Sequence, residues 1–116
     1  MALSEFEAAR VRRVLGGYIK RRRPPPHIRP QLDLGFRISG QSVELTEIRP
    51  KWRGQPGELH ERAFAKATYV RTINRWRIFW LRRDLKWRGY EPVPEVATID
   101  EFVAVVEEDH HACFFG

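Results

Sequence analysis

The chain has 116 residues, 42% of them hydrophobic and 12% aromatic, enough for one domain with a core that needs neither disulfides nor metal. Its single cysteine, Cys113, excludes an intramolecular disulfide framework, and no run approaches the length of a membrane span. The net charge of +6 conceals a sharper division: all 21 Lys and Arg lie between Arg10 and Arg88, while the last 28 residues hold seven carboxylates and no cation. That asymmetry points to electrostatic partners rather than to a catalytic centre.

The N-terminus has neither a basic n-region nor a long apolar stretch, so a secretory signal is not expected and the cytoplasm is the expected location. Ser4 and Glu7 form a capping-box pattern, and Val11, Val14, Leu15 and Tyr18 follow at helical spacing as one buried stripe. Gly16 and Gly17 each weaken such a helix by about 1 kcal/mol relative to Ala, so fraying or a kink is expected there. Pro24, Pro25 and Pro26 end it. Residues 20–31 read as a basic, proline-rich linker.

The apolar period then changes to two. Leu32, Leu34, Phe36 and Ile38 alternate with Asp33, Gly35 and Arg37; Ser39-Gly40-Gln41 turns the chain, and Val43, Leu45 and Glu47 alternate with Glu44, Thr46 and Ile48. The segment from Arg49 to Gly57 holds two Pro and two Gly and reads as a loop. A β-rich run from Ala65 to Ile73 leads to a strand from Trp76 to Leu81, with Trp76, Ile78 and Trp80 on one face. A turn at Arg83-Asp84 brings back a short strand from Trp87 to Tyr90, and Pro92 and Pro94 close the sheet. Thr98 caps a second helix that buries Ile99, Phe102, Val103 and Val106. The expected fold is therefore α+β: a single domain over residues 1–116, an antiparallel meander of four or five strands between an N-terminal and a C-terminal helix.

Several stretches in this order carry a family resemblance: Val43 to Trp52 (VELTEIRPKW), Ala65 to Tyr69, Trp76 to Tyr90, the terminal Phe114-Phe115-Gly116, and Arg22-Arg23-Pro24-Pro25 ahead of the sheet. Together they resemble the small bacterial domain-of-unknown-function family 3024 over nearly the whole chain. Phe115 stands where Trp is expected in many members. The resemblance implies a compact bacterial domain and brings no activity, cofactor or catalytic residue.

Two basic stretches are the strongest functional candidates. Lys20, Arg21, Arg22 and Arg23, with Arg29 beyond the prolines, present adjacent cations that a stiff proline run would hold extended for successive phosphates; a solvated linker is the plain alternative. From Arg62 to Arg88 there are nine cations and one acid, Asp84. Arg71, Arg75, Arg77, Arg82, Arg83, Lys86 and Arg88 interleave with aromatic rings, of which Trp87 is the candidate for base stacking and Phe79 an open question. Trp76 and Trp80 read as core. The carboxylates of Glu107, Glu108 and Asp109 either solvate a helix face or screen the basic body.

Catalytic and metal signatures are thin. Adjacent His110 and His111 with Cys113, and the isolated His27 and His60, do not have zinc spacing, so no metal or other cofactor is expected, and Cys113 reads as a packing residue. Glu44, Glu47 and Lys51 faintly suggest a metal-dependent nuclease, but positions three apart on a strand face opposite ways unless a bulge intervenes. The reading that follows is a non-catalytic binder of an anionic polymer, most plausibly nucleic acid. Its rival is a module that docks an acidic protein surface, with the nuclease third; the sequence fixes no oligomeric state.

Overall fold

The computed structural model describes residues 2–109 and residue 114. Helix α1 runs Glu5–Arg22, followed by strands β1 (Asp33–Ser39), β2 (Ser42–Pro50), β3 (Leu59–Val70), β4 (Arg75–Leu81), β5 (Trp87–Gly89) and β6 (Glu95–Val96), then helix α2 (Ile99–Glu108). The sheet is an antiparallel meander in the order β1-β2-β3-β4-β5, and β6 pairs with β4 on the same side as β5. Pro92 and Pro94 thus interrupt the sheet without ending it: Ile78 N–H donates to Pro94 O at 3.0 Å on the way to β6.

Local chemistry accounts for the element ends. The Ser4 hydroxyl accepts from Glu7 N–H at 3.1 Å while the Glu7 carboxylate accepts from Ser4 N–H at 2.8 Å, closing a full capping box. The Thr98 hydroxyl accepts from Glu101 N–H at 3.2 Å. Gly40, at φ 60°, occupies the first central position of the two-residue β1–β2 turn, as a type II′ turn requires. Helix α1 continues unbroken through Gly16 and Gly17, because Val11, Leu15 and Tyr18 bury its inner face and packing outweighs the glycine propensity.

Three strand limits differ from those the sequence suggests. The stretch from Arg49 is a loop only beyond Pro50, since Arg49 pairs with His60 and Pro50 with Leu59. Strand β3 accordingly starts six residues before Ala65, and Arg71–Asn74 form the β3–β4 turn with Asn74 at φ 52°. Finally, Lys20, Arg21 and Arg22 are the last turn of α1 rather than an extended tract, and residues 26–31 form consecutive turns. Three prolines end a helix only where they begin.

Both helices cover the same sheet face. Tyr18, Leu15 and Val11 of α1 and Ile99, Phe102, Val103 and Val106 of α2 pack with Val43, Leu45, Ala65, Ala67, Trp76 and Ile78. Small Ala65 and Ala67 in the central strand let the helices approach closely. Trp80 is half-buried at the margin of this core and Trp76 lies inside it. Burial disfavours the Tyr18 phenolate and pushes its pKa up to about 12. Among the described residues, no helix is long and apolar enough to cross a membrane.

Candidate nucleic-acid interface

The register sorts the basic residues between two ends of the sheet. Leu3 N–H donates to Gly40 O at 3.2 Å, and Arg71 reaches Glu7 at 3.1 Å, so α1 begins beside the β1–β2 and β3–β4 turns. At the opposite end Arg23 grips Asp33 at 2.6 Å, where β1 starts. That second end also carries the β2–β3 tip and the β4–β5 turn. The first basic stretch and the β4–β5 part of the second therefore lie at the same end of the sheet.

They are not equivalent there. Helices α1 and α2 lie parallel, because Arg10 pairs with Asp100 at 2.7 Å while Arg21 and Arg22 pair with Glu107 at 2.9 and 3.3 Å. Arg23 donates twice to Asp33, and Arg29 donates to Pro24 O at 2.9 Å. Burial raises the Asp33 pKa, but hydrogen bonds from Arg23 and from Leu34 N–H outweigh it, and the carboxyl stays below its ordinary value. Within the Lys20–Arg23 tract, only Lys20 is exposed with no ion pair among the described residues. The tract mainly binds α1 to α2 and to β1.

The second basic stretch divides in the same way. Arg71 is held by Glu7 and the Ala2 carbonyl, and lies 5.3 Å from the Tyr69 ring. The Ser4 N–H bond, followed by Arg71, keeps the Glu7 carboxyl below its ordinary pKa. Arg75 lies 3.6 Å from Glu95, with its Nε buried and without a hydrogen-bond acceptor. Arg77, Arg82, Arg83, Lys86 and Arg88 are exposed, and none makes an ion pair within 4.0 Å among the described residues. Four of these five lie in or beside the β4–β5 turn.

The face of the sheet away from the helices is uncovered, and its side chains neutralise one another. Arg37 donates to Glu44 at 2.5 Å and to Glu61 at 3.3 Å, and Glu61 also accepts from the buried Thr46 hydroxyl at 3.0 Å. The Glu44 hydrogen bond raises the Arg37 pKa further. Gly35 makes room for this cluster: a Cβ there would lie 3.0 Å from Thr46 Oγ1 and 3.3 Å from Glu61 Oε2. Lys66 places its ammonium 4.9 Å from the Phe79 ring and 4.8 Å from the Trp87 ring. Trp87 is half-buried beneath that cation, so one side of its ring is already engaged.

Glu44 and Glu47 do face opposite ways. Glu44 sits with Arg37 on the open face, whereas Glu47 pairs with Arg49 at 3.1 Å on the other. The register shift at Leu45/Thr46 inserts Phe64 into β3, while β2 pairs with β1 without interruption, so no bulge brings the two carboxylates together. Among the described residues no group of three His, Cys, Asp or Glu could hold a metal ion. His110, His111, Cys113 and the Phe115-Gly116 end of the resemblance lie outside the described residues.

The feature sequence reasoning missed is the β2–β3 arm. Every residue from 49 to 62 is exposed, so this hairpin stands clear of the core and lengthens the molecule to 46 Å against 30 and 25 Å in the other directions. Its tip is ordered by its own backbone: Lys51 N–H to Glu58 O at 2.9 Å and Gly54 N–H to Lys51 O at 3.1 Å. Trp52 is 82% exposed there, and the Arg53 guanidinium lies 4.4 Å from its ring. The available signal was Lys51-Trp52-Arg53-Gly54, an aromatic between cations in a turn.

A family model described as a domain of unknown function, DUF3024, matches residues 3–116, and the chain belongs to that family. No curated relative and no solved structure gives a significant match.

Proposed function

We propose that the protein is a non-catalytic binder of nucleic acid, and that it makes contact through the β2–β3 arm and the adjacent β4–β5 turn. One observation carries the reading: Trp52, the one tryptophan of four that is exposed, stands on a projecting ribbon between Lys51 and Arg53. Burial cannot explain an exposed tryptophan on an arm that contributes nothing to the core. A base stacked on such a ring is worth about 1–3 kcal/mol; Arg53 would neutralise phosphate beside it, and Lys51 would do so on leaving its exposed 3.5 Å pair with Glu58. Arg82, Arg83, Lys86 and Arg88 extend the cationic surface at the same end, without internal carboxylates to displace. Arg21, Arg22, Arg23, Arg71 and Arg75 contribute less, because binding phosphate would cost them the ion pairs described above.

Fluorescence anisotropy with a labelled oligonucleotide tests the reading. Binding is expected at low salt with little sequence preference, and log affinity should fall linearly with log salt between about 50 and 200 mM, with a slope near 0.9 per phosphate contact for duplex DNA. Absence of binding at low salt would sink the proposal and leave an acidic protein surface as the partner to seek.

A further inference from the structure

The sheet has two outer edges, and only one of them is guarded. The β5/β6 edge is three residues, then two, separated by a Tyr90–Pro94 excursion that contains two prolines; Arg88 stands beside it. Short strands, prolines and charges are the ordinary means of keeping an edge from pairing. Strand β1 carries only two charges, Asp33 at its first residue and Arg37. It is seven residues long, pairs with β2 in unbroken register, and contains no proline, lysine or bulge. Its one cation, Arg37, is drawn back over its own sheet by Glu44 and Glu61.

The backbone groups on that edge follow from the turn. A two-residue turn closes on a hydrogen-bonded pair, here Ser39 and Ser42, so every second residue back along β1 bonds to β2 and those between point outward. Leu34, Phe36 and Ile38 are the outward residues. The one side-chain cap on this edge agrees, since Leu34 N–H donates to the Asp33 carboxylate at 2.8 Å instead of to β2. The amides of Phe36 and Ile38 have no acceptor elsewhere in the sheet, turns or loops among the described residues.

We infer that β1 is a self-association edge, on which a second copy of this chain adds its own β1 antiparallel to form a continuous two-fold sheet. The edge is complementary to itself. The register that pairs all seven residues centres on Phe36, so that Leu34 faces Ile38 of the partner subunit and the half-buried apolar row of Leu34, Phe36 and Ile38 continues across the junction. On the open face the same register sets Gly35 opposite Arg37 of the partner subunit. The space directly above Gly35 is filled by Thr46, Ile48 and Glu61, so an incoming guanidinium stops at the rim of that cluster, where it meets the exposed side of the Glu61 carboxylate. The inference does not depend on nucleic-acid binding, because the two-fold leaves each arm at an outer end of the joined sheet.

Sedimentation velocity over a broad dilution series, paired with amide hydrogen exchange on the intact protein at the two concentration limits, tests it. The expected result is a reversible dimer in which the Phe36 and Ile38 amides exchange more slowly as concentration rises. Ile38→Pro removes an outward N–H while sparing the β1–β2 bonds, a placement proline tolerates on an edge. It should shift the species to monomer at concentrations where the wild type is dimeric. A monomer at every concentration overturns the inference, and so does a dimer whose protection lies outside β1, a result that needs no variant to be interpreted.

Discussion

The helix tract of Lys20 to Arg23 and the arm from Arg49 to Arg62 lie at the same end of the sheet, and both look basic in sequence, yet their charges serve different ends. In the tract three of four cations are matched to carboxylates of other elements, Glu107 of α2 and Asp33 of β1. In the arm the paired cations, Arg49 with Glu47 and Lys51 with Glu58, find their acids within the hairpin, which leaves Trp52 and Arg53 standing outward. The contrast teaches that a run of cations says little about binding until the acids that fold against it are known. Here the acidic C-terminal helix is the tract's partner: its Glu107 pairs with Arg21 and Arg22 of α1.

Stability measurements should separate the packed body from the arm most strongly. Phe102, fully buried between α2 and the sheet, should lose about 3–5 kcal/mol on Phe102→Ala. Trp52→Ala removes an exposed ring and should stay within about 0.5 kcal/mol of wild type in a urea titration. A comparable loss at both positions would mean the arm packs on something and would break the comparison.

A smaller effect marks the tract as structural. Asp33 has a depressed pKa in the folded chain, so its contribution is complete above its unfolded value of about 3.9 and is lost as pH falls through the folded one. Arg23→Ala should therefore cost about 1 kcal/mol near neutral pH, with allowance for solvent screening of a partly exposed pair. The difference from wild type should shrink toward zero under acid conditions, once Asp33 is protonated in both. A gap that stays constant from neutral to acid pH would assign the loss to the arginine's packing instead.

Much of this fold was legible in the residues. The Ser4 and Thr98 caps, the period-two runs around Phe36 and Leu45, and the buried face of α2 all obey local rules that the structure keeps. What was not legible depended on partners distant in sequence. Arg49 and Pro50 read as loop because their strand character comes from pairing with His60 and Leu59, and a proline on a hairpin arm breaks no ladder it must join. The candidate interface was legible only as charge. Arg82, Arg83, Lys86 and Arg88 make no ion pair among the described residues, but no pattern within Lys20–Arg23 reveals that Glu107, 86 residues from Arg21, closes on it. Trp52 was hidden by the opposite problem: its flanking cations were a signal, but nothing in a loop sequence tells a packed ring from a projecting one.

The most direct test sets the two basic regions against each other. Two variants, Lys51→Gln/Trp52→Ala/Arg53→Gln in the arm and Arg21→Gln/Arg22→Gln in the tract, are compared with wild type for oligonucleotide affinity across a salt series, after circular dichroism shows both folded. The arm variant should lose most of the low-salt affinity and show a slope reduced by up to about two phosphate contacts. The tract variant should lose stability yet bind much as wild type does. Loss of binding in the tract variant with the arm variant unaffected would contradict the account and return the interface to the helix.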